Sequence, residues 1–477
     1  MNELRRIVLG RLRVPLVTSQ RWLSKVNVRL NETVISQIEN EDLKPRKHPG
    51  RMSINTVDLP NSIVKAIEIA MEDHPKNVLL EDGQKLARYL WERHAPLEQA
   101  DITAKYEEIE KEILDKHLQK NGISVDTETL KQRYRPLVIK LCKQKLTKWE
   151  FISYDAYKSL SYMAGRSIQN YAVMCKIFNE ISIRDKEFQP QSLFDFGSGI
   201  GSVMWAASRF WLKSIKEYFC VDISLHMNEL SEQIILKSKP KINNIFYRQF
   251  LPASPNPPYD IVVSAYSLME LPNTESRLQT ILKLWRKTNK YLVIVEQGTN
   301  AGFKLVNEAR DFVLHVSKKN SQKISQSGYT FSPCPQDLKC PRYKELQTPC
   351  NFEVSYISTP FISPRHTNKE RYSYVIMRKG ERPKDDEQWP RIVRPILMRS
   401  RHTICRLCTK EGNLQEIILT KSKHGKVAYR CAKGSNWGDM LPLEIVNEKK
   451  DNNSDNDATV EDVKFKESED QSNTDNS

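Results

Sequence analysis

Residues 192–201 read Ser-Leu-Phe-Asp-Phe-Gly-Ser-Gly-Ile-Gly, SLFDFGSGIG in one-letter code. A short apolar run ends on Asp195 and turns at once through Gly197, Gly199 and Gly201. Three of the chain's sixteen glycines fall within these five residues. Residues without a Cβ are needed where a strand turns sharply into a helix and a ligand approaches the backbone. The spacing is G-x-G-x-G, not the G-x-G-x-x-G of dinucleotide folds.

Working outward, YFCVDIS (218–224), NIFYRQF (244–250), YDIVVSAYSL (259–268) and KYLVIVEQG (290–298) are further apolar runs of strand length, separated by helix-like stretches. Strands alternating with helices predict a parallel α/β sheet. FEVSYIS (352–358) and RYSYVIMRKG (371–380) are expected to pair antiparallel at its edge, with residues 319–350 as an inserted loop. Asp222 ends the second run, where a carboxylate accepts ribose hydroxyls.

The loop, the acid and the strand pattern resemble a class I S-adenosylmethionine-dependent methyltransferase, a Rossmann-like α/β fold, over residues 165–380. An NAD-binding Rossmann unit is the alternative. Asn256-Pro257-Pro258-Tyr259 spells the NPPY of amino-group methyltransferases, but it precedes a strand where that motif follows one, and so predicts a turn. Glu270 is read either as a general base or as a carboxylate at a helix start. Nothing at the expected acceptor position resembles a methyl-acceptor element.

Upstream, Ile63, Val64, Ile67, Ala70 and Met71 share one helix face, and KYEEIEKEILDKHLQK (105–120) is strongly helix-prone. Residues 31–164 are therefore expected to form an N-terminal helical domain, entered through a polar, Pro-punctuated arm over 31–60. Downstream, residues 391–410 hold six Arg/Lys and no acid. LQEIILTKSKHGKVAYRCAK (414–433) predicts two strands about a turn, so residues 381–446 are read as a small basic β module.

Five of nine cysteines lie within 75 residues, Cys334, Cys340, Cys350, Cys405 and Cys408, with His402 close by. Four thiolates suit either structural zinc or an iron–sulfur cluster, and the spacing alone does not choose. Three come from the loop within the α/β unit and the fourth from beyond it, so the centre would tie the basic module to the sheet. Cys142, Cys175, Cys220 and Cys431 are read as structural.

Formal charge is +15. Residues 448–477 hold ten Asp/Glu against four Lys, a net of −6, which leaves +21 on residues 1–447. Such a body attracts polyanions, a phosphate backbone first among them. The tail, 447–477, is too polar to bury a core and is expected to be disordered. The first thirty residues carry seven Lys/Arg and one acid among Leu, Ile, Val and Trp, the composition of a mitochondrial transit peptide. No run approaches the roughly 18 apolar residues of a membrane span.

With DFGSGIG (195–201), EQGTNAGF (296–303), CPQDLKCPR (334–342), RLCTKEG (406–412) and YRCAKGSNWGDMLP (429–442) in this order, the chain resembles the mitochondrial methyltransferase-like protein 17 family. The resemblance implies a matrix factor in assembly of the mitochondrial small ribosomal subunit, partnered by small-subunit rRNA at the head–body junction and by ribosomal proteins. It implies a [4Fe–4S] cluster on Cys334, Cys340, Cys350 and Cys408, with zinc as the alternative. It also implies S-adenosylmethionine at Asp195, Gly197, Gly199, Gly201 and Asp222, with methyl transfer lost; an active rRNA methyltransferase is the competing reading. The rRNA surface is expected to include Arg391, Arg394, Arg399, Arg401, Arg406, Lys421, Lys423, His424, Tyr429, Arg430 and Trp437, with packing in the module's core as the alternative for Tyr429 and the favoured reading for Trp437.

Overall fold

The apolar runs pair as an eight-stranded mixed sheet in a computed structural model that describes residues 27–121, 126–145, 149–319, 327–345, 348–359, 361 and 365–446. The expected transit peptide, apart from its last four residues, and the acidic tail lie outside the described residues. After a short strand, Asn27–Leu30 (β1), come helices Glu32–Glu39 (α1), Asn61–Ala70 (α2), Lys76–Glu92 (α3), Gln99–Asn121 (α4), Thr127–Lys145 (α5) and Ala156–Arg184 (α6). The sheet is built from Ser192–Phe196 (β2), Glu217–Val221 (β3), Ile245–Arg248 (β4), Tyr259–Ala265 (β5), Thr288–Gln297 (β6), Gly328–Ser332 (β7), Phe352–Ile357 (β8) and Thr367–Lys379 (β9). Between these strands lie Ser202–Trp211 (α7), Leu225–Lys237 (α8), Thr274–Lys287 (α9), Asn300–Lys319 (α10) and Pro341–Glu345 (α11).

The strand order is β4-β3-β2-β5-β6-β9-β7. Strands β2 to β6 run parallel, and β9 runs antiparallel between β6 and β7. Chain order reverses at β2, which has β3 on one side and β5 on the other; ligands of open α/β sheets bind in the crevice above such a switch point. The parallel strands read as nearly unbroken apolar runs because helices cover both faces. Helices α6, α7 and α8 close one core, and α9 and α10 close the other.

Several expectations change. Gly328–Ser332 was read as part of an inserted loop, but it is β7, which pairs with β9 along Ile376–Lys379. Strand β8 is the added one: it and β9 do pair antiparallel, but β9 lies inside the sheet, with β6 on its other flank. The 31–60 arm is packed, with Met52 and Val57 each 1% exposed and Val57 bridged to Tyr356. Helix α6 runs unbroken through the 164/165 junction expected between the helical and methyltransferase-like parts.

The C-terminal module comprises Arg391–Ile392 (β10), Leu397–Met398 (β11), His402–Cys408 (β12), Leu414–Thr420 (β13), Lys421–Gly434 (α12) and Leu443–Val446 (β14). Strand β12 pairs antiparallel with β10, β11 and β13. The expected second strand after Lys421-Ser-Lys-His-Gly is instead α12. The Thr420 hydroxyl caps its first turn by accepting from the Lys423 N–H at 3.2 Å, Gly425 kinks it with a φ of 79°, and Ala428, Cys431 and Ala432 lie on the buried side beyond that kink. Residues Arg29–Glu444 form one compact unit; in the other unit the described residues are Asn27, Val28, Ile445 and Val446.

Module and sheet are joined by a buried carboxylate. Glu180 on α6 accepts from Arg391 at 2.7 Å, Ser332 at 2.7 Å and Tyr374 at 2.9 Å. Arg391 also donates to the Pro333 carbonyl at 2.9 Å and the Gly438 carbonyl at 2.7 Å. Burial alone would raise the Glu180 pKa, but Arg391 and then Arg184 hold it down to about 2. Its contribution to stability is therefore complete above the ordinary value of 4.5 and is lost as pH falls through about 2. Replacing Arg391 with Ala leaves that charge stranded, for an expected loss of about 3–5 kcal/mol. Urea unfolding at neutral pH measures it, and a loss below about 1 kcal/mol would remove the pair from its structural role.

Candidate functional site: a cofactor cavity and a cysteine seam

Gly197, Gly199 and Gly201 all adopt left-handed φ, at 72°, 50° and 86°. A Cβ on Gly197 would come within 2.5 Å of the Ser267 Cβ, whereas one on Gly199 would meet nothing within 4 Å. The loop is therefore tight on its inner side and open at Gly199, whose N–H donates to Asp222 at 2.8 Å. Asp222 also accepts from the Ser224 N–H at 2.9 Å. Burial raises its pKa against these two donors.

A cavity of about 310 Å³ opens here, lined by Gly197, Gly199 and Asp222. Asp195 and Gly201 are not part of its wall. Gly201 turns into the N-terminus of α7. Asp195 is fully buried, both its carboxylate oxygens lack partners, and burial followed by the nearby Asp222 pushes its pKa well up.

The rest of the wall was not anticipated. The upstream region supplies Arg93 from just past α3, Phe151 and Tyr154 from the segment before α6, and Tyr162 and Arg166 from α6; the ends of β5 and β6 supply Tyr266 and Glu296. Glu296 accepts from the Leu268 N–H at 2.8 Å, and burial pushes its pKa up to about 8. One signal was available for it: a lone carboxylate at the end of the apolar run YLVIVE. Arg166 pairs with Glu370 at 2.9 Å and lies over the Tyr266 ring, 5.4 Å from its centroid. No sequence pattern marks that pairing.

Glu270 is neither a free base nor a helix-start carboxylate. It ends a 3-10 turn, Leu268–Glu270, and both its oxygens are held by Arg93, one of them at 3.2 Å. Arg93 also donates to the Glu150 carbonyl at 3.0 Å, and the Trp149 indole N–H donates to the Met269 carbonyl at 2.9 Å. Residues from before α6 thus close the cavity beside the turn that follows β5.

About the seam between sheet and module, Cys334, Cys340, Cys350 and Cys408 line one small cavity together with Arg342 and Arg391. Burial, then the neighbouring Cys334, raises the Cys340 thiol to about 11; Cys350 is raised further by burial and then by Cys340 and Cys334, and Cys408 by burial and then by the other three sulfurs. Cys405 does not reach this cavity. Residues three apart on a strand point to opposite faces, so the C-x-x-C presents only Cys408 here. Arg310, 2% exposed, donates to the Gln336 carbonyl at 3.0 Å and the Leu338 carbonyl at 2.7 Å, holding the loop between Cys334 and Cys340. Among the described residues no three His, Cys, Asp or Glu side chains form a group tight enough for a single metal ion.

The expected rRNA surface divides. Arg399, Arg401, Lys421, Lys423 and Arg430 are exposed, Arg406 pairs with Glu416 at 2.9 Å, and His424 is half-buried. Arg391 is buried in its ion pair and Tyr429 is 4% exposed, so neither belongs to that surface. Arg394 is half-buried, bound to Asn351 and the Pro349 carbonyl at 3.0 Å each and lying over the Trp437 ring. Trp437 itself is half-buried against the main core.

Comparison with known proteins sets this geometry in a family. The human mitochondrial ribosome assembly protein METTL17 is 37% identical over 418 residues, covering 86% of this chain and 89% of that protein. A Schizosaccharomyces pombe protein, the mitochondrial Rsm22-cox11 tandem protein 2, is 28% identical over 60% of this chain and 43% of its own length. The solved magnesium protoporphyrin IX methyltransferase of Synechocystis, with bound S-adenosylmethionine, is 12% identical over 54% of this chain and 99% of its own, at a TM-score of 0.30. Strand order, not that superposition, assigns the methyltransferase-like fold. A family model described as mitochondrial small ribosomal subunit Rsm22 matches residues 156–442, from the start of α6 to just before β14, and the chain belongs to that family.

Proposed function

We propose that this protein is an assembly factor of the mitochondrial small ribosomal subunit, acting in the matrix and binding small-subunit rRNA near the head–body junction without transferring a methyl group. The observation that carries the reading is the cysteine seam, where four thiols join a module with exposed Arg and Lys to a methyltransferase-like sheet. The relative named a mitochondrial ribosome assembly protein supports the process and the compartment. The +21 of residues 1–447 supports an rRNA partner.

The residues present fit S-adenosylmethionine. The open side of Gly199 leaves room for a ligand against the backbone, and Asp222 keeps lone pairs for ribose hydroxyls. When bound, the cofactor supplies an electrophilic methyl group. Glu270, which follows β5 in the cavity wall, is engaged rather than free: Arg93, 4% exposed, neutralises it from both oxygens, and Trp149 holds the same turn. That closure is what supports a binding role over a catalytic one.

Four thiols lining one cavity are the donor set a [4Fe–4S] cluster would take, with zinc as the alternative. Buried thiols this far up in pKa stay neutral until a cationic centre binds them, so loading releases protons and its binding energy becomes folding energy of the seam.

Two experiments test the proposal. Asp222→Ala is expected to weaken S-adenosylmethionine binding at least tenfold by calorimetry while the variant still supports subunit assembly in depleted mitochondria. Transfer of labelled methyl to small-subunit rRNA by the purified protein, lost in Asp222→Ala, would establish the enzyme reading instead. Anaerobically purified protein is expected to absorb near about 400 nm with stoichiometric iron and sulfide. Cys408→Ser should abolish that absorbance and expose the module to limited proteolysis before the sheet. Bound zinc without iron would reverse the cluster assignment.

A further inference from the structure

A second cleft, of about 590 Å³, lies where β8 and β9 meet the C-terminal module. Its volume falls within the roughly 300–1,000 Å³ of ligand pockets. One wall is cationic, with Lys369 and Arg371 from β9 and Lys433 from the end of α12. Glu353 partly offsets the first two, at 2.6 Å from Lys369 and 3.8 Å from Arg371. Lys433 is exposed and has no ion pair among the described residues. Apolar side chains line the same cleft: Ile396, Met398, 59% exposed, and Trp437, with Arg394 over its ring.

We propose that this cleft is a nucleotide-binding subsite for single-stranded RNA, seating one unpaired base against Met398 and Trp437 and the flanking phosphates on Lys433 and Arg371. The inference rests on the rRNA-binding reading above and adds the place and the form of RNA recognised. An exposed surface lysine row serves any polyanion. A recess lined by both apolar, aromatic side chains and cations instead suits a nucleotide, whose base needs a flat apolar partner and whose phosphates need charge. A duplex keeps its bases stacked and paired, so it cannot fill the recess and meets only the cationic rim. An acidic peptide would use the cations and leave the Met398 and Trp437 wall unfilled.

The test compares the full-length protein with Lys433→Gln/Arg371→Gln and with Met398→Ala, all changes at exposed positions. Probes are a fluorescent 12-nucleotide single-stranded RNA and a blunt RNA duplex of the same sequence. The double variant is expected to bind the single strand about tenfold more weakly, with the slope of log K against log salt shallower by about 1.4, two phosphate contacts at roughly 0.7 each. Met398→Ala should weaken the single strand several-fold with the salt slope unchanged and leave duplex binding within twofold, whereas the double variant, which trims the cationic rim, should weaken the duplex clearly less than the single strand. A 4-thiouridine probe should crosslink to the peptides carrying Met398 or Trp437. Wild-type affinity in both variants, or equal weakening of single strand and duplex, overturns the cleft while leaving rRNA binding intact. So does displacement of the single strand by poly-glutamate at matched charge. A wild-type protein that binds neither RNA sinks the rRNA reading, and this cleft with it.

Discussion

The carboxylate of Glu180 is the constraint on which the rest of the architecture depends. It gathers a guanidinium from β10, a hydroxyl from the end of β7 and a phenol from β9, on a helix that belongs to the main core. Each partner lies beside something functional. Ser332 is two residues before Cys334, and Arg391 stands opposite Cys408 in the β10–β12 register. Fixing one buried charge therefore fixes the spacing between thiols contributed by two parts of the chain. A buried ion pair is weak evidence for net stability, since apolar packing often does as well, but it specifies which groups meet.

The cofactor cavity follows a different logic. Its floor is the glycine loop and switch point common to open α/β sheets, and its remaining walls come from the upstream segment. Arg93, Trp149 and Tyr154 are bound to the turns after β5 and β3, Tyr154 through its carbonyl, which accepts from Ser224 at 2.7 Å. The N-terminal region thus acts as a wall of the cavity, and what fills the cavity bears on how firmly that region is seated.

Much of the sheet was legible because parallel strands buried on both faces leave apolar runs, and DFGSGIG marks where they turn. What failed, failed for local reasons. Gly328–Ser332 is five residues long and runs into Ser-Pro-Cys-Pro, so it resembled loop, and the longer FEVSYIS took its place in the count. In α12, the spacing of Ala428, Cys431 and Ala432 was helical all along, but Val427 and Tyr429 favoured a strand reading. Arg391 could not be separated from its basic neighbours, because its partner lies 211 residues away. The cysteines clustered visibly in sequence, whereas Arg310, which shapes their loop, carried no local mark.

Helix α6 reaches both sites. Tyr162 and Arg166 line the cofactor cavity, and Glu180 and Arg184 stand at the seam. Fourteen residues separate Arg166 from Glu180, roughly 21 Å of continuous helix at 1.5 Å per residue. A straight rod held at both ends has little freedom to roll. Turning its face at the cavity by one residue's angle, about 100°, would carry Glu180 away from Arg391. The two centres are thus gauged against each other by a single strut, and the chain cannot adjust the orientation of one while leaving the other as it was.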